Sequence, residues 1–567
     1  MLAEASPTVE EEDSTQTDTC YTSTSSGASL TAGRSGSSTG GAGNYQARTR
    51  KRWSGAKNNL SSRLNSPAAI DGVHGSVEAD YISPGQLYST ESGRMFHAGQ
   101  ILIVLVGLPA TSKTLLSVAI TRYTRWLGVR TSSFHVSEYR RDKTANDVGP
   151  LPEDYFLAKP MTQAGSKFRQ EILDEVLEDI HRFFRQDKGQ LAIYDCLNII
   201  RSDRERLARE FAEFNIKVLL IESIVTNEEL LSHNIEMAAT SADYHGWNKQ
   251  DAMKHYLQRV KLNKPFYEQM TPSEGLSYLQ YFNFGEKIVL NDNDHGFLVN
   301  KIVFFLMNLR HKRGCIYFAR CGTSDNDRYV HDEVLNEEGI RYSKALTDLV
   351  LKQVSKRRAE RNESLACQIP TSPLSFPSAN SADDSPVLSA NASQKSTDSI
   401  SKLYLRQRTS GEENSENSFT VWTAPRKRTY DTAMFFLEKG VTVRQRSQLQ
   451  QLHPGCVADL SEGEIKEKFP TEYKEYLKAP YHYRFPRAES YHDLAVRIEP
   501  LLLEMERMCG DLLIIGHETA LRVLYGYFAA CSSQEIPSLS FTRDDLIEIS
   551  LRPFENIITK IPIVVNK

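Results

Sequence analysis

The chain reads ILIVLVGLPATSKTLLSVAITRYTRWLG over residues 101–128, and this stretch sets the interpretation of everything around it. An unbroken apolar run, Ile101 to Val106, ends in Gly107. Such a run, stopped by glycine, predicts a strand buried on both faces. Lys113 and Thr114 follow, and the helix-period segment behind them closes at Gly128. Strand, loop and helix in this order are the context in which a Gly-x₄-Gly-Lys-Ser/Thr loop binds nucleotide phosphates. Gly107, Leu108, Pro109, Ala110, Thr111 and Ser112 would wrap the phosphates with the backbone at the helix N-terminus. Lys113 would reach the β- and γ-phosphates, and the Thr114 hydroxyl would hold Mg²⁺. One position departs from the motif. Ser112 stands where glycine belongs, so the loop is expected to carry some strain.

The other half of such a site is a carboxylate at the end of a second strand. QLAIYDCLN, residues 190–198, supplies Asp195 after an apolar run. An aspartate at a strand end is often only a helix cap. Beside Gly107–Thr114 it reads as the residue that shares the metal with Thr114 and joins Lys113 in catalysis.

Outward from here, short apolar runs alternate with helix-period segments, which is the α/β pattern. Strands are predicted at Ile101–Val106, Thr131–Val136, Leu191–Tyr194, Val218–Ile221 and Ser277–Phe282. Helical patterns such as Lys167–Phe184 and Glu228–Met237 supply the crossovers that parallel strands require. A second α/β unit opens at Gly314 with the run Cys315–Ala319, continues through a helical pattern over Gly339–Glu363 and resumes at Phe419. Residues 1–94 are rich in Ser, Thr and Gly, and residues 364–418 in Ser, Asn and Pro. Neither has the apolar content to offset its ordering entropy, so a disordered tail and a disordered insertion are expected. That leaves domains at 95–312 and 313–567. In the tail, RTRKRWS (residues 48–54) reads as a solvated basic run, or as a site for a basophilic protein kinase at Ser54.

The 567 residues carry a formal net charge of −4, so neither nucleic acid nor a membrane surface is an expected partner. Eight cysteines stand singly, without a Cys-x-x-Cys pair. This points away from a zinc site or disulfide framework and toward a reducing compartment. The N-terminus has no apolar signal core, and no apolar run is long enough to span a bilayer. A cytoplasmic location is expected.

Further motifs follow the phosphate loop in order. They are EYRRD (138–142), YDCLNIIRSDRER (194–206), LLIESIVTNEELLSHNI (219–235), IYFARCG (316–322), VWTAPRKRTYDTA (421–433), RFPRAESYHDLAVRIEP (484–500) and LIIGHETALRVLYGYF (513–528). Together they resemble the 6-phosphofructo-2-kinase/fructose-2,6-bisphosphatase family over about residues 97–567. The resemblance implies a P-loop kinase domain, a mostly parallel sheet flanked by helices, followed by a histidine-phosphatase-like α/β domain. It implies transfer of the γ-phosphoryl of ATP, with Mg²⁺, to fructose 6-phosphate, giving fructose 2,6-bisphosphate, a regulator of glycolysis. It also implies hydrolysis of that product in the second half through a phosphohistidine. Arg140, Arg169 and Arg259 fall on the family's sugar-phosphate arginines, a role that suits bidentate, permanently charged guanidinium groups. Leu197, Val225, Ala238-Ala239 and Asn263 depart from the family at a threonine, a cysteine, a lysine and a tyrosine, which is expected to erode the sugar pocket. A homodimer, and protein kinases acting on the tail, remain open as partners beside ATP and fructose 6-phosphate.

The second half departs further. Arg320, Arg428 and His517 fall on the family's phosphate pocket, with Arg522 a lesser candidate. Cys321 stands at the nucleophilic histidine and Gln451 at the acid. Glutamine donates no proton at a useful pKa. A thiolate beside Arg320 could accept a phosphoryl group. However, Arg328 lies one residue beyond the Cys-x₅-Arg spacing of cysteine phosphatases. The expectation is a kinase with a disarmed phosphatase domain. Two alternatives stand beside it: a phosphosugar-binding regulatory protein with both halves inactive, and a bisphosphatase that uses Cys321.

Overall fold

The computed structural model describes residues 99–146, 151–152, 154–291, 296–312, 314–366, 418–551 and 556–565. All of them belong to one compact unit. The expected tail, with Ser54, and nearly all of the expected insertion lie outside the described residues.

The first half is built on β1 (Ile101–Val106), α1 (Lys113–Trp126), β2 (Thr131–His135), α2 (Val136–Asn146), α3 (Gln163–Arg185), β3 (Leu191–Asp195), α4 (Arg201–Glu213), β4 (Lys217–Ile224), α5 (Glu228–Ala239), α6 (Lys249–Asn263), β5 (Tyr278–Phe282), β6 (Lys287–Asn291) and α7 (Phe297–Asn308). The sheet order is β2-β3-β1-β4-β5-β6, parallel except for β6. All of β1 is buried, as its apolar run requires with helices on both faces. Register fixes the site. Leu105 pairs with Asp195, and His135 pairs with Asp195 from the other side, so three strand ends meet where the chain leaves β1. In open α/β sheets, ligands bind outside the carboxyl ends of strands at such points.

The second half comprises β7 (Ile316–Arg320), α8 (Glu337–Ala366), β8 (Phe419–Thr423), α9 (Lys427–Thr432), α10 (Met434–Glu438), β9 (Thr442–Gln445), α11 (Glu462–Lys468), α12 (Pro470–Lys478), α13 (Tyr491–Arg507), β10 (Asp511–Gly516), α14 (Glu518–Phe528), β11 (Asp545–Leu551) and β12 (Asn556–Pro562). Its sheet runs β12-β11-β7-β10-β8-β9, with β11 antiparallel to both of its neighbours, β7 and β12. The helical pattern expected to stop at Glu363 continues to Ala366. Among the described residues, no helix is long and apolar enough to cross a membrane.

The halves share one core. Helix α1 is buried along nearly its whole length. The Thr121 and Thr124 hydroxyls donate to Ser117 O and Ile120 O, so two of the polar side chains of this buried helix are satisfied by its own carbonyls. One hydrophobic cluster runs from Leu116 and Tyr123 through Phe305 to Ile498 and Tyr527. Tyr123 stacks on Phe305 at 4.4 Å, and Trp126 meets Tyr527 edge-on at 6.0 Å. Polar anchors cross the same junction. Arg122 pairs with Glu506, Tyr123 donates to Glu499, and Lys301 pairs with Glu499. The helix that opens with the phosphate loop is therefore seated on α13 and α14 of the other half.

Candidate active site

Gly107 has φ 143°, and a Cβ there would lie 2.6 Å from Ser223 O, so only glycine fits. Ala110 and Ser112 both adopt left-handed backbone, at φ 67° and 63°. For a residue with a side chain, this conformation costs about 1–2 kcal/mol. Neighbours hold the loop in place. Ser223 Oγ donates to Thr111 O, Asn234 Nδ2 to Ala110 O at 2.8 Å, and the Ala110 N–H to the Tyr256 hydroxyl at 3.3 Å. Serine thus occupies the glycine position with its strain carried by the surrounding contacts.

Lys113 Nζ folds back on the loop, donating to Gly107 O at 2.8 Å and Leu108 O at 2.6 Å. Burial pulls its ammonium down to about 8, partly offset by the nearby charge of Asp195. Nucleotide phosphates would offer this cation the counter-charge it now takes from backbone dipoles. Thr114 Oγ1 donates to Asp195 Oδ2 at 2.7 Å, and His135 Nδ1 lies 2.8 Å from the same oxygen. Burial tends to raise the Asp195 carboxyl, but His135, Lys113 and Thr114 outweigh it and hold it below its ordinary value. The hydroxyl and carboxylate are hard oxygen donors on one side of the loop. They suit Mg²⁺, which is bound by one or two carboxylates together with substrate phosphates and water.

A cavity of about 490 Å³ opens beside these groups, and Lys113, Thr114, Asp195, Arg140, Arg169 and Arg259 all line it. Every first-half side chain that the sequence assigned to catalysis, metal or sugar phosphate is thus brought together. Arg140 and Arg259 lie over the Phe156 ring at 5.1 and 4.0 Å. Sequence reasoning missed His135, Asp243 and Tyr256, which share the walls. Only His135 carried a signal: a polar residue ending a parallel strand.

The departures at the sugar pocket divide. Leu197 and Ala238 do line the cavity. Asn263 does not line it. It is fully buried, accepts the Ala158 N–H at 2.7 Å, and donates to Phe156 O and Arg259 O at 2.8 Å each. Its amide serves three backbone groups that join the segment before α3 to α6. Val225 packs against the hydrophobic core and is absent from the cavity walls.

In the second half, Arg320 ends β7 in register with Gly516 of β10, so Cys321 and His517 emerge side by side. Cys321 Sγ lies 3.7 Å from His517 Nδ1, and both are buried. Arg428 reaches Ser324 Oγ at 2.8 Å, His517 Nδ1 at 3.4 Å, and the Asp327 carboxylate. Arg543 Nε donates to Cys321 O. Burial, followed by Arg428, Arg426, Arg320 and Arg543, drives the His517 imidazole down to about 3, so it is neutral near pH 7. Gln451 sits one residue removed, its amide oxygen 3.4 Å from Arg426. Arg522 lies on α14. It donates to Tyr491, Glu518 and Leu539 O, and Glu518 in turn faces Arg320.

The fold and the two pockets define a P-loop kinase domain joined to a histidine-phosphatase-like domain. Comparison with known proteins agrees with both. A family model described as 6-phosphofructo-2-kinase matches residues 88–313, and one described as histidine phosphatase superfamily (branch 1) matches residues 406–561. A Saccharomyces cerevisiae protein named "Putative 6-phosphofructo-2-kinase/fructose-2,6-bisphosphatase" is 53% identical over 91% of this chain and 93% of its own. A "6-phosphofructo-2-kinase/fructose-2,6-bisphosphatase" from Gallus gallus is 28% identical over 77% of this chain and 79% of its own. A second S. cerevisiae protein, "Fructose-2,6-bisphosphatase", is 28% identical over 82% and 88%. The chain belongs to the 6-phosphofructo-2-kinase/fructose-2,6-bisphosphatase family.

Proposed function

We propose that the chain transfers the γ-phosphoryl group of ATP to the 2-hydroxyl of fructose 6-phosphate, and that its second half binds phosphosugar without hydrolysing it. One observation carries the kinase reading: nucleotide, metal and sugar-phosphate groups converge on a single cavity. Lys113 would hold the β- and γ-phosphates, and Thr114 with Asp195 would hold Mg²⁺, which neutralises charge developing on the transferring group. Arg140, Arg169 and Arg259 would fix the sugar phosphate, placing the acceptor in line. Such a reaction asks little covalent chemistry of the protein.

The second-half reading rests on Cys321 at the nucleophile position and Gln451 at the acid position. The arginines remain, and the neutral His517 offers them no competing positive charge. The cysteines stand singly in the sequence, without a Cys-x-x-Cys pair, and this suits a cytoplasmic setting. Lys113→Ala should abolish transfer to fructose 6-phosphate while the melting temperature stays near that of the wild type, since Lys113 opens α1 and its ammonium contacts only the carbonyls of the phosphate loop. Unchanged transfer in this variant would defeat the reading.

A further inference from the structure

Asp243 lies on the short 3₁₀ turn Ala242–Tyr244 after α5, on the wall of the same cavity. Its Oδ1 accepts Arg140 Nη2 at 2.5 Å and also Arg141 Nη1, and its Oδ2 lies 3.8 Å from Arg259 Nη1. Its side chain is only 13% exposed. Burial tends to raise this carboxyl, but the charges and hydrogen bonds of Arg140 and Arg141 outweigh it and hold it below the carboxylate range. It is an anion throughout the neutral range.

The contacts are economical. Each arginine turns a single nitrogen to Asp243. A guanidinium has five N–H donors in a planar fork, so donors remain beyond these contacts; Arg141 Nη2 also donates to Ser137 Oγ and Arg259 Nη1 to the Tyr244 hydroxyl, each at 3.3 Å. Aromatic rings hold the flat faces: Phe156 under both Arg140 and Arg259, and Tyr256 under Arg259 at 4.9 Å. Asp243 offsets one of the guanidinium charges of Arg140, Arg141 and Arg259, and with Arg169 on the same wall the cluster stays cationic, as a phosphate monoester dianion requires. Without Asp243 the three like charges would repel across a poorly hydrated wall and lose their common orientation.

We infer that Asp243 is a positioning residue for the sugar phosphate. It holds Arg140, Arg141 and Arg259 as a preformed receptor whose residual charge selects a phosphate monoester dianion. The inference rests on the kinase reading above. The opposing view makes Asp243 a plug that the incoming phosphate must displace, and the two views predict opposite changes.

The test uses the full chain with Asp243→Asn, Asp243→Ala and Asp243→Glu. Initial rates are measured with each substrate varied, and fructose 6-phosphate is titrated calorimetrically without nucleotide. KM for fructose 6-phosphate should rise roughly tenfold or more in the Asn and Ala variants, as for loss of one partner of a buried charge pair. Glu should recover part of this. kcat and KM for ATP should stay within about threefold in the same samples, which separates lost positioning from lost folding. Calorimetry should show the same order of affinities. A KM that falls, or does not change, in the Asn and Ala variants would overturn the inference. If wild-type protein binds fructose 6-phosphate but transfers nothing, the kinase reading fails while the calorimetric series still decides the role of Asp243. If wild-type protein does neither, both fall.

Discussion

Replacing Glu506 by glutamine tests whether the phosphate-loop helix is held by the phosphatase-like half. Glu506 on α13 is 1% exposed. Its carboxylate accepts Arg122 Nη2 and the Tyr527 hydroxyl, both at 2.9 Å, and lies 3.2 Å from Lys312 Nζ. Burial tends to raise this carboxyl, but Lys312 and Arg122 outweigh it and keep it charged. Glutamine keeps the shape and strands two buried cations. Removing one partner of a buried pair costs about 3–5 kcal/mol. Lys312 can limit the loss, because burial already holds its pKa below the ordinary value and it can release its proton. A destabilisation near the lower end, about 3 kcal/mol, is expected. The pH dependence has a definite sign. The folded state of the variant binds fewer protons at Lys312 than the unfolded chain does, so its stability rises with pH until the unfolded lysine also titrates. The deficit relative to wild type should therefore shrink as pH is raised above neutrality. Urea unfolding of both proteins across that range is the assay, with KM for ATP measured alongside, because α1 carries Lys113 at its other end. A deficit under about 1 kcal/mol, or one that grows with pH, would refute the account of the interface.

Two further outcomes follow from the sites. Lys113 should lose its charge as pH rises through about 8, so kcat/KM for ATP, which reports the free enzyme, should fall above that pH; a flat profile to pH 9.5 would put another cation on the phosphates. Incubation with fructose 2,6-bisphosphate labelled at the 2-phosphate should leave no phosphoprotein, and Cys321→His with Gln451→Glu should restore more hydrolysis than the two single changes added, as for members of one mechanism; label on wild-type protein that iodoacetamide prevents would make Cys321 a working nucleophile.

Much of the kinase site was legible because its parts are local. Gly107, Lys113 and Thr114 lie on one strand-loop-helix unit, and Asp195 ends an apolar run of its own. Arg140, Arg169 and Arg259 came from resemblance, since nothing in an isolated arginine distinguishes a ligand from a surface residue. What was missed depends on tertiary register. His135 meets Asp195 because β2 and β3 pair in step, and Asp243 meets Arg140 and Arg141 of α2 from the turn that follows α5. Nothing in the sequence showed that the chain path around α6 turns the Asn263 amide toward three backbone groups. The all-round burial of α1 was not legible, since Ser117, Thr121, Thr124 and Arg125 recur at helical spacing and read as a polar face. The pattern could not say what covers it. That depends on Glu499 and Glu506, two acids on the buried face of α13.

The central claim is that this cavity joins a nucleotide to a phosphosugar. The full chain, with γ-labelled ATP, magnesium and fructose 6-phosphate, should place label on the sugar as an acid-labile phosphate at carbon 2, dependent on both sugar and metal. Sugar labelling no greater than that of the Lys113→Ala protein would contradict the account.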